Sequence, residues 1–237
     1  MTSVLVAIPS GKRGWAPDFC LSLVRMVQAH EYSSDMVGVG LSICCASGAN
    51  LCLNRSILIE EALAEGFSHV LWLDDDMTFP ADALARLLAH DLPIVASNCT
   101  LRLLPILPTA LQGGQRLSSH EAAGLEQVDR IGLAVALTQV GVFDRIPKPW
   151  FAWEIDDGNG PRLCSEDEYF CVKAQRAGVD IFIDHDLSQQ IGHVGELTFY
   201  QSMIDPEELA VVNREAAKGR TEMMRDSKGQ LYSRAPR

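Results

Sequence analysis

Phe67-Ser-His-Val-Leu-Trp-Leu-Asp-Asp-Asp76 is the stretch on which the reading of this chain turns. Val70 to Leu73 is an unbroken apolar run between polar residues, the composition of a strand buried on both faces. It ends in three successive carboxylates, Asp74, Asp75 and Asp76. Like charges crowded at the end of a buried strand raise one another's pKa unless a cation neutralises them. Hard oxygen ligands suit Mg²⁺ or Mn²⁺, ions often held by one or two carboxylates plus substrate phosphates. Helix capping is the plainer alternative, since Thr78 and Asp82 flank Pro80 and acids favour a helix N-terminus. Capping accounts for one or two of the acids, but hardly for three.

Outward from this stretch the chain alternates strand and helix patterns. Val4–Ile8 reads as a first buried strand, closed by Pro9 and followed by a loop containing Gly11 and Gly14. Residues 17–30 carry a helical pattern, and Met36–Cys45 reads as a second strand interrupted by Gly38 and Gly40. Leu53–Glu65 is an amphipathic helix with Gly66 at its stop. A helix from Pro80 to His90 and a strand over Pro93–Ser97 follow the acidic strand. The fold class predicted is α/β, a single Rossmann-like domain with a mostly parallel central sheet flanked by helices. In such sheets ligands bind beyond the carboxyl ends of the strands, which places Pro9–Lys12 beside Asp74–Asp76.

The second half is less regular. Leu101–Arg130 is poor in pattern and rich in Pro, Gly and Ser, as expected of a mobile flap or an acceptor-side excursion. Ile131–Phe143 is strand-like, Ile146–Trp153 is a proline-broken aromatic loop, Asp167–Ala177 is helical, and Val179–Ile183 is a strand. Asp205–Ala217 is a helix with Asp205 as cap and Pro206 at its first position. The organisation expected is a domain over residues 1–212 and a basic tail over 213–237, poorly ordered after Gly219.

With 47% hydrophobic residues, the 237-residue chain can bury a full core. Its net charge of −11 argues against nucleic acid as a partner, except as a modified-base acceptor. The tail opposes this balance: seven basic residues against three acidic ones make it +4, leaving −15 on the rest. Seven cysteines without a C-x-x-C pair point to buried thiols in a reducing compartment. Residues 1–10 lack a charged leader, and no apolar stretch approaches a membrane span. A soluble, cytoplasmic protein is expected; the oligomeric state is left open.

Three further features bear on chemistry. Glu166-Asp167-Glu168 opens a helical run, so these acids either favour the helix N-terminus or present a carboxylate to the cleft. His193 lies between Gly192 and Gly195, where small neighbours let an imidazole approach a metal. Arg55 is either a surface charge or a partner for phosphate or carboxylate. Phe151, Trp153 and Glu154 suit a carbohydrate, since rings cover apolar sugar faces and carboxylates take hydroxyls; a packed aromatic loop is the alternative.

The order of Pro9, Arg55, Leu-Trp-Leu-Asp-Asp-Asp-Met-Thr-Phe-Pro80, Ser-Glu-Asp167 and Gly-His193 resembles GT-A fold glycosyltransferases, and among them small family-2-like enzymes of phages and bacteria. The likeness runs from about Val4 to Glu196. It implies donor binding by Ile8, Pro9, Ser10, Arg55, Asp74 and Asp75, with Asp75 near the ribose. It implies a divalent cation, Mn²⁺ or Mg²⁺, on Asp74, Asp76 and His193. Asp167, with Glu166 beside it, matches the catalytic carboxylate at the acceptor, where Trp153 and Glu154 would contribute. Related sequences often have Arg-Asn where this chain has Arg55-Ser56, so a nucleotide contact at Ser56 is not carried over.

The function expected is transfer of a sugar from a UDP- or GDP-sugar to a hydroxyl acceptor, a glycan or another molecule. The rivals are a nucleotidyltransferase, for which Pro9-Ser-Gly-Lys-Arg13 is a faint phosphate loop, and a non-catalytic nucleotide-sugar-binding module.

Overall fold

A computed structural model of the chain describes residues 2–11, 14–156, 162–195, 198–217, 223–225 and 231–233; for 154–156, 162–163, 223–225 and 231–233 it describes the backbone alone. The elements are β1 Ser3–Ser10, α1 Pro17–Tyr32, β2 Gly40–Ser47, α2 Leu51–Ala64, β3 His69–Leu73, β4 Met77–Thr78, α3 Ala83–Ala89 and β5 Ile94–Ala96. They continue with β6 Leu111–Gln112, β7 Gln115–Arg116, β8 Leu125–Val128, β9 Val135–Gln139, α4 Val142–Arg145, β10 Glu154–Asp156 and β11 Arg162–Cys164. The last are α5 Glu166–Arg176, β12 Ile181–Asp184, α6 His185–Ser188, β13 Gly192–Val194, β14 Thr198–Phe199, α7 Pro206–Ala217, β15 Met223–Arg225 and β16 Leu231–Ser233.

A seven-stranded sheet of order β2-β1-β3-β9-β5-β12-β8 forms the centre. β1 pairs in parallel with β2 and β3, and β12 in parallel with β5. β9 runs antiparallel between β3 and β5, and β8 is an antiparallel edge. Side chains of a strand alternate between faces, and here both faces are apolar. Leu5, Ala7, Val70 and Trp72 join Leu58, Ile59 and Phe170 from α2 and α5 on one side. Val4, Val6, Ile8, Leu71 and Leu73 join Phe19, Met26, Leu84 and Leu87 from α1 and α3 on the other. This is a mostly parallel α/β sheet with helices on both faces, as the apolar runs predict.

Several boundaries differ from the sequence reading. The second strand begins at Gly40, because residues 34–36 form a 3₁₀ turn and Gly38 adopts φ +82°, a conformation that favours glycine. α3 starts at Ala83, three residues beyond Pro80. The segment 101–130 is anchored: Asn98 Oδ1 accepts the Ala110 N–H at 2.9 Å, and Gln201 Oε1 accepts the Ser119 N–H at 3.1 Å. It also supplies the β6–β7 hairpin and the edge strand β8. α7 runs without a break through residues 212 and 213, and Asn213 exchanges hydrogen bonds with the Arg116 backbone. Most of the basic tail, and Lys12 and Arg13, lie outside the described residues. No described helix is long and apolar enough to cross a membrane.

The carboxyl ends of β1 and β3 open on one edge of the sheet. A small sheet of order β14-β13-β4 joins that edge, pairing His193 with Met77 immediately after the acidic run.

Candidate active site

The three aspartates after β3 take three separate partners. The chain turns where the strand ends, with the Met77 N–H donating to the Asp74 carbonyl at 3.3 Å, and the turn separates side chains that would alternate along a strand. Asp74 Oδ1 accepts from Arg55 Nη2 at 3.1 Å. Asp75 Oδ2 accepts from the Ser10 hydroxyl at 2.5 Å. Asp76 Oδ1 lies 3.3 Å from His193 Nε2, and Asp76 Oδ2 lies 2.8 Å from Arg102 Nη1.

Arg55 is a fully buried hub on α2, with its guanidinium 5.4 Å from the centre of the Trp72 ring. Beyond Asp74, its Nη2 lies 3.5 Å from Asp167 Oδ1 and its Nε lies 3.8 Å from Glu166 Oε1. Burial works against its charge, but Asp74, Asp167 and Glu166 outweigh that and hold its pKa up. One cation among three carboxylates leaves the cluster negative. Burial pushes Asp74 up to about 7, Asp167, Asp76 and Glu166 push the same way, and Arg55 opposes them. Glu166 is raised by burial and then by Asp167. Arg55 Nε and Nη1 and Asp167 Oδ1 are buried without a hydrogen-bond partner.

α5 places the two candidate catalytic acids in its first turn. Ser165 caps it by accepting the Glu168 N–H at 3.3 Å. Glu166 is buried, whereas Asp167 keeps 21% of its side chain exposed and accepts the Leu133 N–H at 3.1 Å. Glu168 pairs with Arg130.

On the β1 side, Ile8 and Pro9 are buried and Ser10 ends the strand at the sheet edge. Asn54 is buried and is not among the residues that the sequence singles out. Its Nδ2 donates to the carbonyls of Ser10 and Gly48, each at 3.1 Å, joining the ends of β1 and β2. An amide one residue before Arg55 was the only signal of it. Ser56 turns its hydroxyl back onto the Cys52 carbonyl of its own helix, at 2.8 Å.

Asp76 and His193 meet at the edge of the small sheet, beside Arg102. His193 Nδ1 lies 2.7 Å from the Thr100 carbonyl, an acceptor, so Nδ1 carries hydrogen and Nε2 is the nitrogen turned toward Asp76; it donates to the carboxylate when protonated and offers its lone pair to a cation when not. Burial alone would raise the Asp76 carboxyl; the hydrogen bond and charge of His193, with Arg102, reverse this and hold it low. A carboxylate oxygen and an imidazole nitrogen at this spacing, with the ring fixed from behind, fit Mn²⁺ or Mg²⁺ as two ligands of a set that phosphate oxygens complete. Asp74 is not brought to this pair, and no group of three His, Cys, Asp or Glu side chains able to hold a metal occurs among the described residues. Gly192 serves packing: a Cβ there would lie 2.5 Å from Thr78 Oγ1 and 2.6 Å from Thr198 Cγ2.

The aromatic loop divides. Phe151 is a core residue, 3% exposed, against Trp72, Phe143 and Phe170, so the expectation that its ring faces a sugar is corrected. Its neighbours supply the large apolar contact that a sheet face needs to be covered. Trp153 is 52% exposed; the Glu154 side chain lies outside the described residues.

The sequence matches no protein-family model and no curated protein sequence. Solved structures do share its architecture. A197 from STIV matches with a TM-score of 0.57 at 12% identity, over 86% of this chain and 92% of that one. The catalytic domain of Drosophila β1,4-galactosyltransferase 7, in complex with xylobiose, matches with a TM-score of 0.51 at 12% identity, over 82% and 71%. The fold is GT-A. A mutant of the same Drosophila enzyme, in complex with manganese, UDP-Gal and xylobiose, gives a TM-score of 0.51 at 11% identity, over 82% of this chain and 71% of that one.

Proposed function

We propose that this chain is a metal-dependent glycosyltransferase that moves a sugar from a nucleotide-diphosphate sugar to a hydroxyl acceptor. The observation that carries the reading is the Asp76–His193 pair, with Nδ1 of the imidazole tied to the Thr100 carbonyl and Nε2 3.3 Å from the carboxylate. The GT-A fold, in which the Drosophila enzyme is seen with manganese and UDP-Gal, supports it. Asp76 and His193 hold the divalent cation, Mn²⁺ or Mg²⁺. When bound, the cation supplies Lewis-acid neutralisation of the charge that develops on a diphosphate leaving group.

The other residues orient and move protons. Ser10 fixes Asp75 at the end of β1, where Asp75 meets the ribose of a UDP or GDP moiety. Asp167 takes the acceptor's hydroxyl proton: it is the partly exposed member of the Glu166–Asp167 pair. Glu166 is buried behind it and balances Arg55. Trp153 offers an exposed ring to the acceptor.

A thermal-shift panel of UDP- and GDP-sugars, each with Mn²⁺ and with EDTA, tests the reading. A donor that binds the folded state raises the melting temperature by mass action. One donor class stabilising only with the metal is the result expected, followed by donor turnover; a flat panel overturns it.

A further inference from the structure

Arg102 has no role in the function argued above, yet it contacts the carboxylate assigned to the metal. Its Nη1 lies 2.8 Å from Asp76 Oδ2 and donates to the Val194 carbonyl at 3.3 Å. The guanidinium thus spans the residue before β4 and the residue after His193. The loop that carries it is fixed at its base. Leu101 N–H donates to the Leu107 carbonyl and Thr109 N–H to the Cys99 carbonyl, each at 2.8 Å. Thr100, two residues before Arg102, is the residue whose carbonyl orients His193. One short segment therefore supplies both the backbone atom that aims the imidazole and the cation that neutralises Asp76. Beyond its base the segment is open: Arg102 is 47% exposed at its side chain, and Leu103 and Leu104 beside it are exposed.

These contacts compete with a second cation on Asp76. A divalent ion and a guanidinium sharing one carboxylate repel each other across a few ångströms. The guanidinium is the group able to yield, because it is exposed and its other contact among the described residues is a backbone carbonyl. The cation arrives with a diphosphate, and the planar fork of arginine matches phosphate oxygens in a bidentate geometry that lysine lacks.

We infer that Arg102 is an exchanging diphosphate ligand: it neutralises Asp76 when the site is empty and turns to the donor's diphosphate when the site fills. The inference rests on the metal assignment under Proposed function. It gives Arg102→Ala effects of opposite sign on two ligands, which a merely structural residue would not produce.

The test measures Mn²⁺ alone by electron paramagnetic resonance, and UDP and GDP at saturating Mn²⁺ by calorimetry, on the full chain. In Arg102→Ala, Mn²⁺ alone should bind about two- to fivefold more tightly, the range of an exposed ion pair released. The preferred nucleotide should bind about tenfold more weakly or worse, as for loss of a hydrogen bond to a charged group. Arg102→Lys should leave Mn²⁺ affinity near that of the unmodified protein and lose less nucleotide affinity than Arg102→Ala. Weakening of both ligands, or unchanged nucleotide affinity beside a nucleotide-binding unmodified protein, overturns the role of Arg102 alone. If the unmodified protein binds neither nucleotide with Mn²⁺, the metal assignment falls and this inference falls with it.

Discussion

Asp74 and Asp167, on different elements and more than ninety residues apart in sequence, share one buried guanidinium nitrogen, Arg55 Nη2, at 3.1 and 3.5 Å. The end of β3 and the first turn of α5 are thereby locked together through a residue that sees no solvent. Among the described residues Arg55 meets Asp74, Glu166, Asp167 and the Trp72 ring rather than Ser10, Asp76 or His193, and its place is beneath the cleft. It is a positioning residue for the two carboxylates.

Removing Arg55 should therefore cost stability first. Arg55→Ala leaves three carboxylates without their cation, and breaking a buried ion pair from one side costs about 3 kcal/mol or more. For a domain of this size that is a fall in melting temperature of about 6 °C or more. Asp74→Asn added to Arg55→Ala should recover part of the loss. Calorimetric melting of the two variants checks both statements, and an unchanged melting point for Arg55→Ala contradicts the hub.

The raised Asp74 carboxyl gives a pH dependence with a definite sign. A folded-state pKa of about 7 against an ordinary 3.8 means that the folded state binds this proton more tightly than the unfolded chain. The contribution is fully present below the ordinary pKa and is lost as pH rises from about 4 to about 7. With chelator present, the melting temperature over that range should fall more steeply for the unmodified protein than for Asp74→Asn. Parallel curves would sink the assignment.

Asp76→Ala and His193→Ala should each abolish metal-dependent nucleotide binding while leaving the melting temperature within a few degrees, since both side chains lie at the sheet edge. Calorimetry in Mn²⁺ and in EDTA is the measurement. Equal nucleotide affinity in the two buffers refutes the metal centre.

Glu166→Gln and Asp167→Asn should separate by kinetics. Asp167→Asn removes the proton acceptor and should lower turnover by about a hundredfold or more, with donor affinity retained. Glu166→Gln changes a buried partner of Arg55, so its effect should fall mainly on stability. A crippled Glu166→Gln beside a nearly normal Asp167→Asn reverses the two roles.

Gly192→Ala is expected to disturb the His193 strand. Its methyl would meet Thr78 and Thr198 at 2.5 and 2.6 Å, and overpacking of this kind costs about 1–3 kcal/mol. Thermal melting and Mn²⁺ affinity should fall together; a variant with unchanged melting shows that the strands can separate locally.

Local chemistry made much of this protein legible from its residues. Val70–Leu73 reads as a doubly buried strand because apolar side chains on both faces have no other stable place, and the structure leaves all four without solvent exposure. Glu166-Asp167-Glu168 reads as the opening of a helical run because acids favour a helix N-terminus, and the structure starts α5 at Glu166. Partners distant in sequence decided the rest. That Asp74, Asp75 and Asp76 part toward Arg55, Ser10 and His193 depends on which elements the sheet order brings to its edge, and no periodicity records that. The antiparallel β9 between β3 and β5 is equally invisible, since a central strand is apolar on both faces whichever way it runs. Phe151 and Trp153 are two aromatic residues of one loop, one buried and one exposed, because only the former falls over Trp72 and Phe170. The sequence determines which residues must be buried and which charges need partners; the tertiary structure decides which partner each charge receives, because an ion pair is set by distance in space.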